Sequence, residues 1–260
     1  MRKPLPLSSY NLDVLPRFFA PDLQPTAAIV SLSEEESGHL ARVLRLGVGA
    51  RVLVFDGRGH QYEASVAAIE KSRNTVVLNV LEPVPAAPEA RVPIVLAQAV
   101  LKGDKMEAVI RDATMMGVAA IRPVITQRTV VPRSAADQPG VQTRWHRVAV
   151  SSAKQCGRAV VPRIEPPAAF EVLLDDTSSA SRLILVEPAV FSDRDESSRL
   201  DGAIPTSALV LIGPEGGWTE EEVARAQQAG FRPLSLGART LRAESAPLAA
   251  LSVLTYAWGL

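Results

Sequence analysis

Two short stretches near the C-terminal end of the sequence combine glycine with charged residues. Ala208–Gly217 (ALVLIGPEGG) is an apolar run that ends in a glycine cluster, and Leu236–Ala246 (LGARTLRAESA) carries Arg239, Arg242 and Glu244 behind a glycine. Glycines permit positive φ and let a ligand come close to backbone N–H groups. Open α/β sheets bind ligands at the carboxyl ends of their strands. The two loops together therefore predict one pocket for a nucleoside-containing cofactor.

The two loops match neither of the common phosphate-binding patterns. G-x-x-x-x-G-K-[ST] and G-x-G-x-x-G are both absent from this region, and a dinucleotide fingerprint would follow the first strand of its fold. Taken alone, GPEGG is also compatible with a plain strand-to-helix turn. The trio of Arg239, Arg242 and Glu244 is compatible with a structural ion pair or a solvated surface loop. The residues alone leave these alternatives open.

The composition excludes several classes of protein. The 260 residues are 47% hydrophobic and 22% charged, values typical of soluble globular domains. A single cysteine, Cys156, excludes a disulfide framework and a four-cysteine zinc site, and the three histidines lack metal-ligand spacing. No apolar run approaches the roughly 20 residues of a membrane span. We therefore expect a cytoplasmic protein with no metal and no membrane partner.

The charges are unevenly distributed although the formal net charge is zero. Residues 101–165 contain 11 Lys and Arg against 5 Asp and Glu, whereas residues 166–230 contain 4 against 12. A basic segment of this kind suits nucleic acid, but such asymmetry also arises by coincidence. The charge pattern therefore permits an RNA partner without requiring one.

The first third of the chain predicts a small β-barrel behind a loose tail. Residues 1–16 contain three prolines and no hydrophobic periodicity. Residues 33–46 predict a helix with Ser33 as its N-cap. Short alternating runs with tight turns predict strands over 51–56, 60–69 and 75–81. The proline-rich segment 82–93 is the clearest linker in the chain.

After the linker, strand patterns alternate with helix patterns, which is typical of a mainly parallel sheet. Thr219 and Glu222 form a T-x-x-E box that predicts the start of one helix, and Ser245 is expected to cap the last one. The acidic segment 192–205 predicts a mobile loop. Strands are predicted over 94–100, 119–125, 183–186, 208–212 and 233–236, and helices over 104–116, 144–156, 219–229 and 246–258.

The order and spacing of these motifs resemble the RsmE family of knotted, SPOUT-class RNA methyltransferases. GPEGG is the most specific match, and it is followed by L-G-x-R-x-L-R-x-E-[TS]-A before a C-terminal helix. The resemblance covers nearly the whole chain. Further matching segments are Arg17-Phe18-Phe19, His39-Leu40 with Val43-Leu44-Arg45, Lys102-Gly103-Asp104-Lys105-Met106-Glu107, and Trp145 through Arg158 with Gln155.

The resemblance implies an α/β protein of two domains behind the tail. Residues 17–85 would form a PUA-like RNA-binding β-barrel. Residues 86–260 would form a SPOUT methyltransferase domain, a mainly parallel sheet with helices on both faces whose last segment threads a trefoil knot. The implied activity is S-adenosylmethionine-dependent methylation of N3 of a specific uridine in 16S ribosomal RNA of the small subunit, by a homodimer. Two alternatives stay open: a non-catalytic RNA-binding or assembly factor on the same fold, and a methyltransferase for a different RNA.

The resemblance also implies which residues serve the site. S-adenosylmethionine would be held by the GPEGG loop, the 236–241 loop and the end of the strand 183–186. The implied cofactor set is Val186, Glu187, Gly213, Pro214, Glu215, Gly216, Gly217, Leu236, Gly237, Arg239 and Leu241. Basic residues at the matching segments are candidates for phosphate contacts. They are Arg17, Arg45, Lys102, Lys105, Arg144 and Arg158.

Methyl transfer to N3 of a uridine sets a chemical requirement, because N3 carries a proton that must leave before or during attack. A general base within reach would take that proton, and a cation would stabilise negative charge as it develops on O2 or O4 of the base. We assign the stabilising role to Arg242. Glu244 and Glu215 are the candidates for base or orienting group. Glu215 is equally compatible with a purely structural role in which it fixes its loop.

Overall fold

The computed structural model describes residues 15–70, 72–188, 200 and 203–259. Apart from residues 15 and 16, the predicted tail lies outside the described residues. The predicted acidic loop 192–205 also lies outside them, apart from 200 and 203–205. Within the described part of the chain, no helix is long and apolar enough to cross a membrane. The chain divides into two compact units, with the division between Ala87 and Pro88.

The first unit is built on a five-stranded sheet in the order β1-β3-β4-β5-β2. β1 pairs parallel with β3, and the other neighbours are antiparallel. Alternate side chains such as Val52, Val54, Ala64 and Val66 are fully or almost fully buried in one core, because successive residues of a strand point to opposite faces. The strands are β1 (Arg17–Phe19), β2 (Ile29–Ser31), β3 (Arg51–Phe55), β4 (Gln61–Glu70) and β5 (Thr75–Pro83).

The helix predicted over 33–46 is only partly α-helical. Helix α1 spans Glu34–Gly38, where the Ser33 hydroxyl accepts a hydrogen bond from the Glu36 N–H at 3.2 Å, so the predicted N-cap is confirmed. A π-helical turn, His39–Val43, then ends the segment. Leu40 and Leu46 both contact the core, but in a continuous α-helix they would point about 120° apart. The wider turn and its early end allow both side chains to reach the same core.

The second unit is built on a parallel sheet in the order β12-β10-β11-β6-β7-β8, with β9 also paired to β7. Every strand pair in it is parallel, which confirms the sheet predicted from the alternation of elements. The strands are β6 (Ile94–Ala99), β7 (Ala120–Ile125), β8 (Arg163–Ile164), β9 (Ala168–Ala169), β10 (Ser181–Leu185), β11 (Ala208–Ile212) and β12 (Arg232–Leu234).

Helices cover both faces of this sheet, as predicted. On β11, Val210 and Ile212 belong to one hydrophobic core while Leu209 and Leu211 belong to the other. The first core contains α2 (Lys105–Met115), α4 (Pro139–Cys156) and α7 (Ala246–Trp258) together with the short α3 (Arg133–Ala136), and the second contains α5 (Phe170–Leu174) and α6 (Glu220–Gln228). The sequence patterns missed α3, α5, β8 and β9, all of which have five residues or fewer.

Candidate cofactor site

The segments that follow three neighbouring strands surround a cavity at one edge of the second sheet. β12, β10 and β11 are adjacent and parallel, so their carboxyl ends meet. The cavity has a volume of about 280 Å³. It is lined by Lys105, Leu185, Val186, Glu187, Pro188, Ile212, Gly213, Pro214, Glu215, Gly217, Trp218, Leu236, Gly237, Arg239, Thr240, Leu241, Arg242, Ala243, Glu244 and Ala246. The two glycine loops therefore form parts of the wall of one pocket.

Side chains from other segments hold the GPEGG loop from behind. The Gln98 amide donates to the Gly213 carbonyl at 3.3 Å, and the Arg128 guanidinium donates to the Gly216 carbonyl at 2.9 Å. Gln98 is completely buried at the end of β6, whereas Arg128 lies in the loop after β7. These contacts fix the loop backbone independently of any ligand.

Trp218 joins the loops that follow β10 and β11. Its indole N–H donates to the Leu185 carbonyl at 2.8 Å, and its own carbonyl accepts from Arg128 at 3.1 Å. Helix α6 begins immediately afterwards with the predicted capping box, in which the Thr219 hydroxyl accepts from the Glu222 N–H and the Glu222 carboxylate accepts from the Thr219 N–H. The loop is thus anchored at both ends.

Gly217 is a position where only glycine fits without strain. Its φ is +68°, and a Cβ placed there would collide with the Glu187 carboxylate. L-residues with side chains rarely adopt this backbone conformation. The glycine therefore lets the Glu187 carboxylate, from the segment after β10, lie directly against the GPEGG loop.

A cluster of three charged side chains closes one side of the pocket. The Lys105 ammonium at the start of α2 lies 3.4 Å from Glu215 Oε1 and 3.5 Å from Glu244 Oε2. Glu215 Oε1 also accepts from the Lys102 backbone N–H at 3.2 Å. Glu244 Oε2 is buried and makes no hydrogen bond within the described residues beyond this ion-pair contact. Lys105 therefore links the two loops electrostatically.

The pKa of Glu215 bears on its chemical role. Burial raises the pKa of this carboxyl, but hydrogen bonds from its own N–H and that of Lys102, and the Lys105 ammonium, outweigh burial and hold the pKa below its usual range. A general base works best with a pKa near the working pH. The environment of Glu215 thus favours an orienting role over proton abstraction.

Arg242 stands at the mouth of the pocket with its side chain 86% exposed. Its guanidinium lies 4.0 Å from Glu244 Oε1, which is too far for a hydrogen bond. A guanidinium held this loosely is available to a substrate that approaches the cofactor pocket. Arg242 and both candidate carboxylates, Glu215 and Glu244, therefore line the same cavity.

The residues predicted to contact RNA are distributed over both units. Arg17 in β1 donates to the Gln61 side chain at 2.6 and 3.0 Å. Arg45 follows the π-helical turn of the same unit. In the second unit, Lys102 contributes its backbone N–H to Glu215, and the Arg144 side chain pairs with Glu107 at 2.7 Å.

The surroundings of Arg158 differ from those expected of a residue that contacts RNA. Its side chain is only 4% exposed and pairs with the Glu89 carboxylate. The guanidinium also donates to the carbonyls of Thr114 at 2.7 Å and Val118 at 3.1 Å. These contacts leave the guanidinium little surface for a phosphate, so we do not retain Arg158 as an RNA contact and assign it a structural role at the end of α2.

Sequence reasoning identified most of the residues that line the pocket, and it missed the side chains that hold the pocket's loops in place. Of the expected cofactor residues, all except Gly216 line the cavity. Trp218 adjoins the glycine motif, so its place in the chain was a usable signal. Gln98 and Arg128 lie far from the motif along the chain and gave no such signal, and Lys105 was expected on RNA rather than in the pocket wall. Among the described residues, no group of His, Cys, Asp and Glu is arranged to hold a metal ion.

Comparison with known proteins matches each of the two units to a protein family. The model of an RNA methyltransferase domain matches residues 88–255, and that of an RNA methyltransferase PUA domain matches residues 32–79. Ribosomal RNA small subunit methyltransferase E of Synechocystis is 32% identical, over 94% of this chain and 76% of its own length. The same enzyme of Bacillus subtilis is 29% identical, over 88% of this chain and 91% of its own length.

A solved structure indicates the same family as these relatives. Ribosomal RNA small subunit methyltransferase E of Neisseria gonorrhoeae, bound to S-adenosyl methionine, aligns with a TM-score of 0.81 at 30% identity, covering 94% of this chain and 98% of that chain. Fold and site thus define an RNA methyltransferase with an attached PUA domain. More narrowly, the chain belongs to the ribosomal RNA small subunit methyltransferase E family, RsmE. The predicted trefoil knot stays a prediction.

Proposed function

We propose that this protein transfers the methyl group of S-adenosylmethionine to N3 of a uridine in the 16S ribosomal RNA of the small subunit. The observation that carries the proposal is the composition of the pocket. Two glycine loops frame a cavity, and an exposed arginine, Arg242, stands at its mouth beside the carboxylate of Glu244. The N. gonorrhoeae relative supports the choice of cofactor, since it was solved with S-adenosyl methionine.

The residues present fit S-adenosylmethionine. Leu185, Ile212 and Leu236 give the cavity apolar wall suited to a flat base, and Glu187 offers a carboxylate to hydroxyl groups. At Gly217 the missing Cβ leaves room for that carboxylate against the loop. S-adenosylmethionine, when bound, supplies an electrophilic methyl group. We propose the predicted cofactor set that lines the cavity as its binding residues.

We propose separate roles for three charged side chains of the site: charge stabilisation, proton acceptance and orientation of the loops. Arg242 stabilises the negative charge that develops on a uridine oxygen as N3 loses its proton, because its guanidinium is charged at any relevant pH. Glu244, the carboxylate nearest to Arg242, is our choice for the group that accepts the N3 proton. Glu215, with its lowered pKa, holds the Lys102 N–H and the Lys105 ammonium and thereby orients the loops.

The direct test is calorimetry with S-adenosylmethionine, followed by incubation with unmethylated small ribosomal subunits and mass mapping of the RNA. We expect cofactor binding and one methyl group on a uridine N3. Absence of cofactor binding would refute any methyltransferase reading and leave the non-catalytic RNA-binding factor. Methylation of another RNA, or of another base, would leave only the alternative of a different substrate.

We further propose that the protein is a homodimer that works in the cytoplasm on the small ribosomal subunit. Support for the dimer comes from α7, because residues 246–260 contain no charged residue. Leu251 and Leu254 are buried in the core, yet Val253 and Tyr256 are 42% and 91% exposed. An uncharged helix face with exposed apolar side chains is often covered by a partner. A second copy packed on this outer face would cover it.

A further inference from the structure

A second cavity lies at the amino ends of the three strands whose carboxyl ends surround the cofactor pocket. Its wall includes Ser181 and Arg182 at the start of β10, Arg232 at the start of β12 and Thr206 just before β11. We name it the amino-end cavity. The length of β10 separates it from the cofactor pocket by about 15 Å. Its volume of about 620 Å³ is within the range of sites for small organic ligands.

The charged side chains that line the amino-end cavity are both arginines, Arg182 and Arg232. Among the described residues of its wall there is no Asp, Glu or Lys. Neither guanidinium pairs with a carboxylate within the described ranges, and Arg182 donates to the backbone carbonyl of Asp176 at 3.3 Å. By contrast, Arg122 and Arg225 of the same unit each pair with a carboxylate. The cavity therefore holds two positive charges that its own wall does not neutralise.

The Arg182 side chain is held in place without a ligand. Its guanidinium carbon lies 5.4 Å from the centre of the Phe231 ring. A Cβ added at Gly230 would lie 2.7 Å from one guanidinium nitrogen, so the glycine leaves the room that this group occupies. An arginine that is already positioned loses little conformational entropy when it binds an anion.

The two arginines approach the cavity from opposite faces of the sheet. Arg232 pairs in register with Leu183 and shares its face, whereas Arg182, one residue before Leu183, points to the other face. The packing agrees, because Leu183 and Phe231 belong to different hydrophobic cores. The cavity lies beyond the ends of the strands, where both faces of the sheet are open to it. A ligand there has a guanidinium on each side.

Hydroxyl groups and one aromatic side chain complete the wall. Thr177, Ser179 and Thr206 line the cavity beside Ser181, whose buried hydroxyl oxygen has no hydrogen-bond partner among the described residues. A buried polar group without a partner usually marks the place of a water molecule or an ion. Trp258 adds an apolar surface at the end of α7. Hydroxyl groups can donate to phosphate oxygens, and an aromatic wall suits the organic part of a ligand.

We propose that the amino-end cavity binds a small phosphorylated molecule, with Arg182 and Arg232 on its phosphate groups. The planar guanidinium group matches the geometry of phosphate oxygens. The surrounding sequence favours a small anion over a nucleic acid, because residues 166–230 contain 12 Asp and Glu against 4 Lys and Arg. This negative charge repels a long polyanion, whereas a small ligand lies between the two arginines. The proposal does not depend on methyl transfer.

The test is calorimetry of the full-length protein with sodium pyrophosphate at low salt, without cofactor or RNA. Arg232→Ala should weaken binding about tenfold, because a charged hydrogen bond to phosphate is lost. Its melting temperature should change little, since Arg232 is exposed. Arg163→Ala is the matched control, because Arg163 is also an exposed arginine at the first residue of an outer strand, β8. It should bind pyrophosphate as the wild type does.

A second variant adds a charge instead of removing one. Ile204→Asp places a carboxylate at a 41% exposed position of the cavity wall, and it should also weaken pyrophosphate binding. Val172→Asp makes the same kind of change at a 61% exposed position that does not line the cavity. This control should leave pyrophosphate binding unchanged.

Several results would overturn the proposal. They are the absence of pyrophosphate binding to the wild type, and wild-type affinity in both Arg232→Ala and Ile204→Asp. Tighter binding of malonate than of pyrophosphate would overturn the choice of phosphate over carboxylate. A labelled single-stranded RNA that pyrophosphate displaces, and that Arg232→Ala binds more weakly than Arg163→Ala does, would show that the cavity serves RNA instead of a small molecule. None of these measurements requires methyl transfer, so the proposed function stands or fails separately.

Discussion

The Lys105 ammonium contacts Glu215 and Glu244 from one side, and the Arg242 guanidinium makes no hydrogen bond among the described residues. Lysine neutralises one carboxylate from each loop, so the two loops can approach without mutual repulsion. Arg242, whose side chain is 86% exposed, is the cation that we propose meets the incoming base. At the residue scale, these contacts support our proposal that Lys105 holds the two loops together while Arg242 acts on the substrate.

Arg242→Ala tests this division. We expect methylation to fall by at least about a hundredfold, the order of effect seen on losing a group that stabilises developing negative charge. S-adenosylmethionine affinity and melting temperature should change little, because the side chain is 86% exposed. Arg163→Ala, at a 74% exposed arginine that does not line the pocket, is the control and should keep full activity. Full activity in Arg242→Ala would show that another group stabilises the charge.

At the element scale, the β11–α6 loop is a rigid wall rather than a flexible lid. Gln98 and Arg128 bind its carbonyls, and the capping box of Thr219 and Glu222 fixes the start of the next helix. The Glu222 carboxylate also accepts from the Gln127 N–H at 2.8 Å. Hydrogen bonds of this kind hold a site in place before its ligand arrives.

Gly217→Ala should damage this wall. The alanine would adopt an unfavourable positive φ, at a cost of about 1 kcal/mol or more, and its Cβ would push the Glu187 carboxylate away. Gly103→Ala is the matched control, because Gly103 has a similar φ of +62° with nothing within 4 Å of an added Cβ. Both variants should melt earlier, but only Gly217→Ala should lose S-adenosylmethionine affinity in calorimetry. Equal cofactor affinity in the two would contradict the role of Glu187.

Asp176 links β7 to the segment after α5 and makes the stability of the second unit depend on pH. Burial raises the pKa of Asp176, but hydrogen bonds from Ser178 and from the Arg122 guanidinium outweigh it and lower the pKa from 3.8 to about 2. A carboxyl whose pKa is lower in the folded state stabilises the fold above its unfolded value, and the contribution disappears as the pH falls toward 2.

Asp176→Asn should therefore lower the urea midpoint at pH 7, and the difference from the wild type should shrink between about pH 4 and pH 2. Asp175→Asn, at the exposed neighbouring carboxylate, controls for the loss of one negative charge. A difference between Asp176→Asn and the wild type that stays constant over the whole pH range would mean that the contact with Arg122 does not titrate as described.

At the scale of the whole molecule, the outer face of α7 exposes apolar side chains whose exposure a single chain does not explain. Its inner face fills the core through Ala250, Leu251 and Leu254, all completely buried. Its outer face is equally free of charge and lies on the helix that follows the Arg242–Glu244 segment. A partner subunit on α7 would therefore support the segment that holds the proposed reacting groups.

Val253→Asp should convert a dimer into a monomer in light scattering at micromolar concentration, because a charge would be buried without a partner. Val172→Asp is the matched control, since Val172 is an exposed apolar residue on α5 at 61% exposure and should leave the dimer intact. A wild-type protein that scatters as a monomer would refute the dimer proposal directly.

The sequence by itself determined the elements whose signal is local. Alternating or continuous apolar runs predicted β3 to β7 and β10 to β12, and helical spacing predicted α2 and α4, because burial repeats with the period of each element. Cap residues predicted the starts of α6 and α7. GPEGG and the 236–246 loop were found as parts of one site because both follow strands that end at the same edge. The N-caps Ser33 and Thr219 were also readable, since a cap involves residues only three apart.

Only the tertiary structure decided the features that depend on distant partners. Ser245 precedes α7 as predicted, yet its side chain makes no capping hydrogen bond. Arg158 is buried against Glu89, and Arg128 supports a loop 88 residues away. Arg45 has a positive φ of +53°, in a turn whose Leu40 and Leu46 pack in one core with strand residues far away in the sequence. A residue's type limits the bonds that it can make, but which bond it makes is fixed by the groups that folding brings beside it, and those groups are not its neighbours in the sequence.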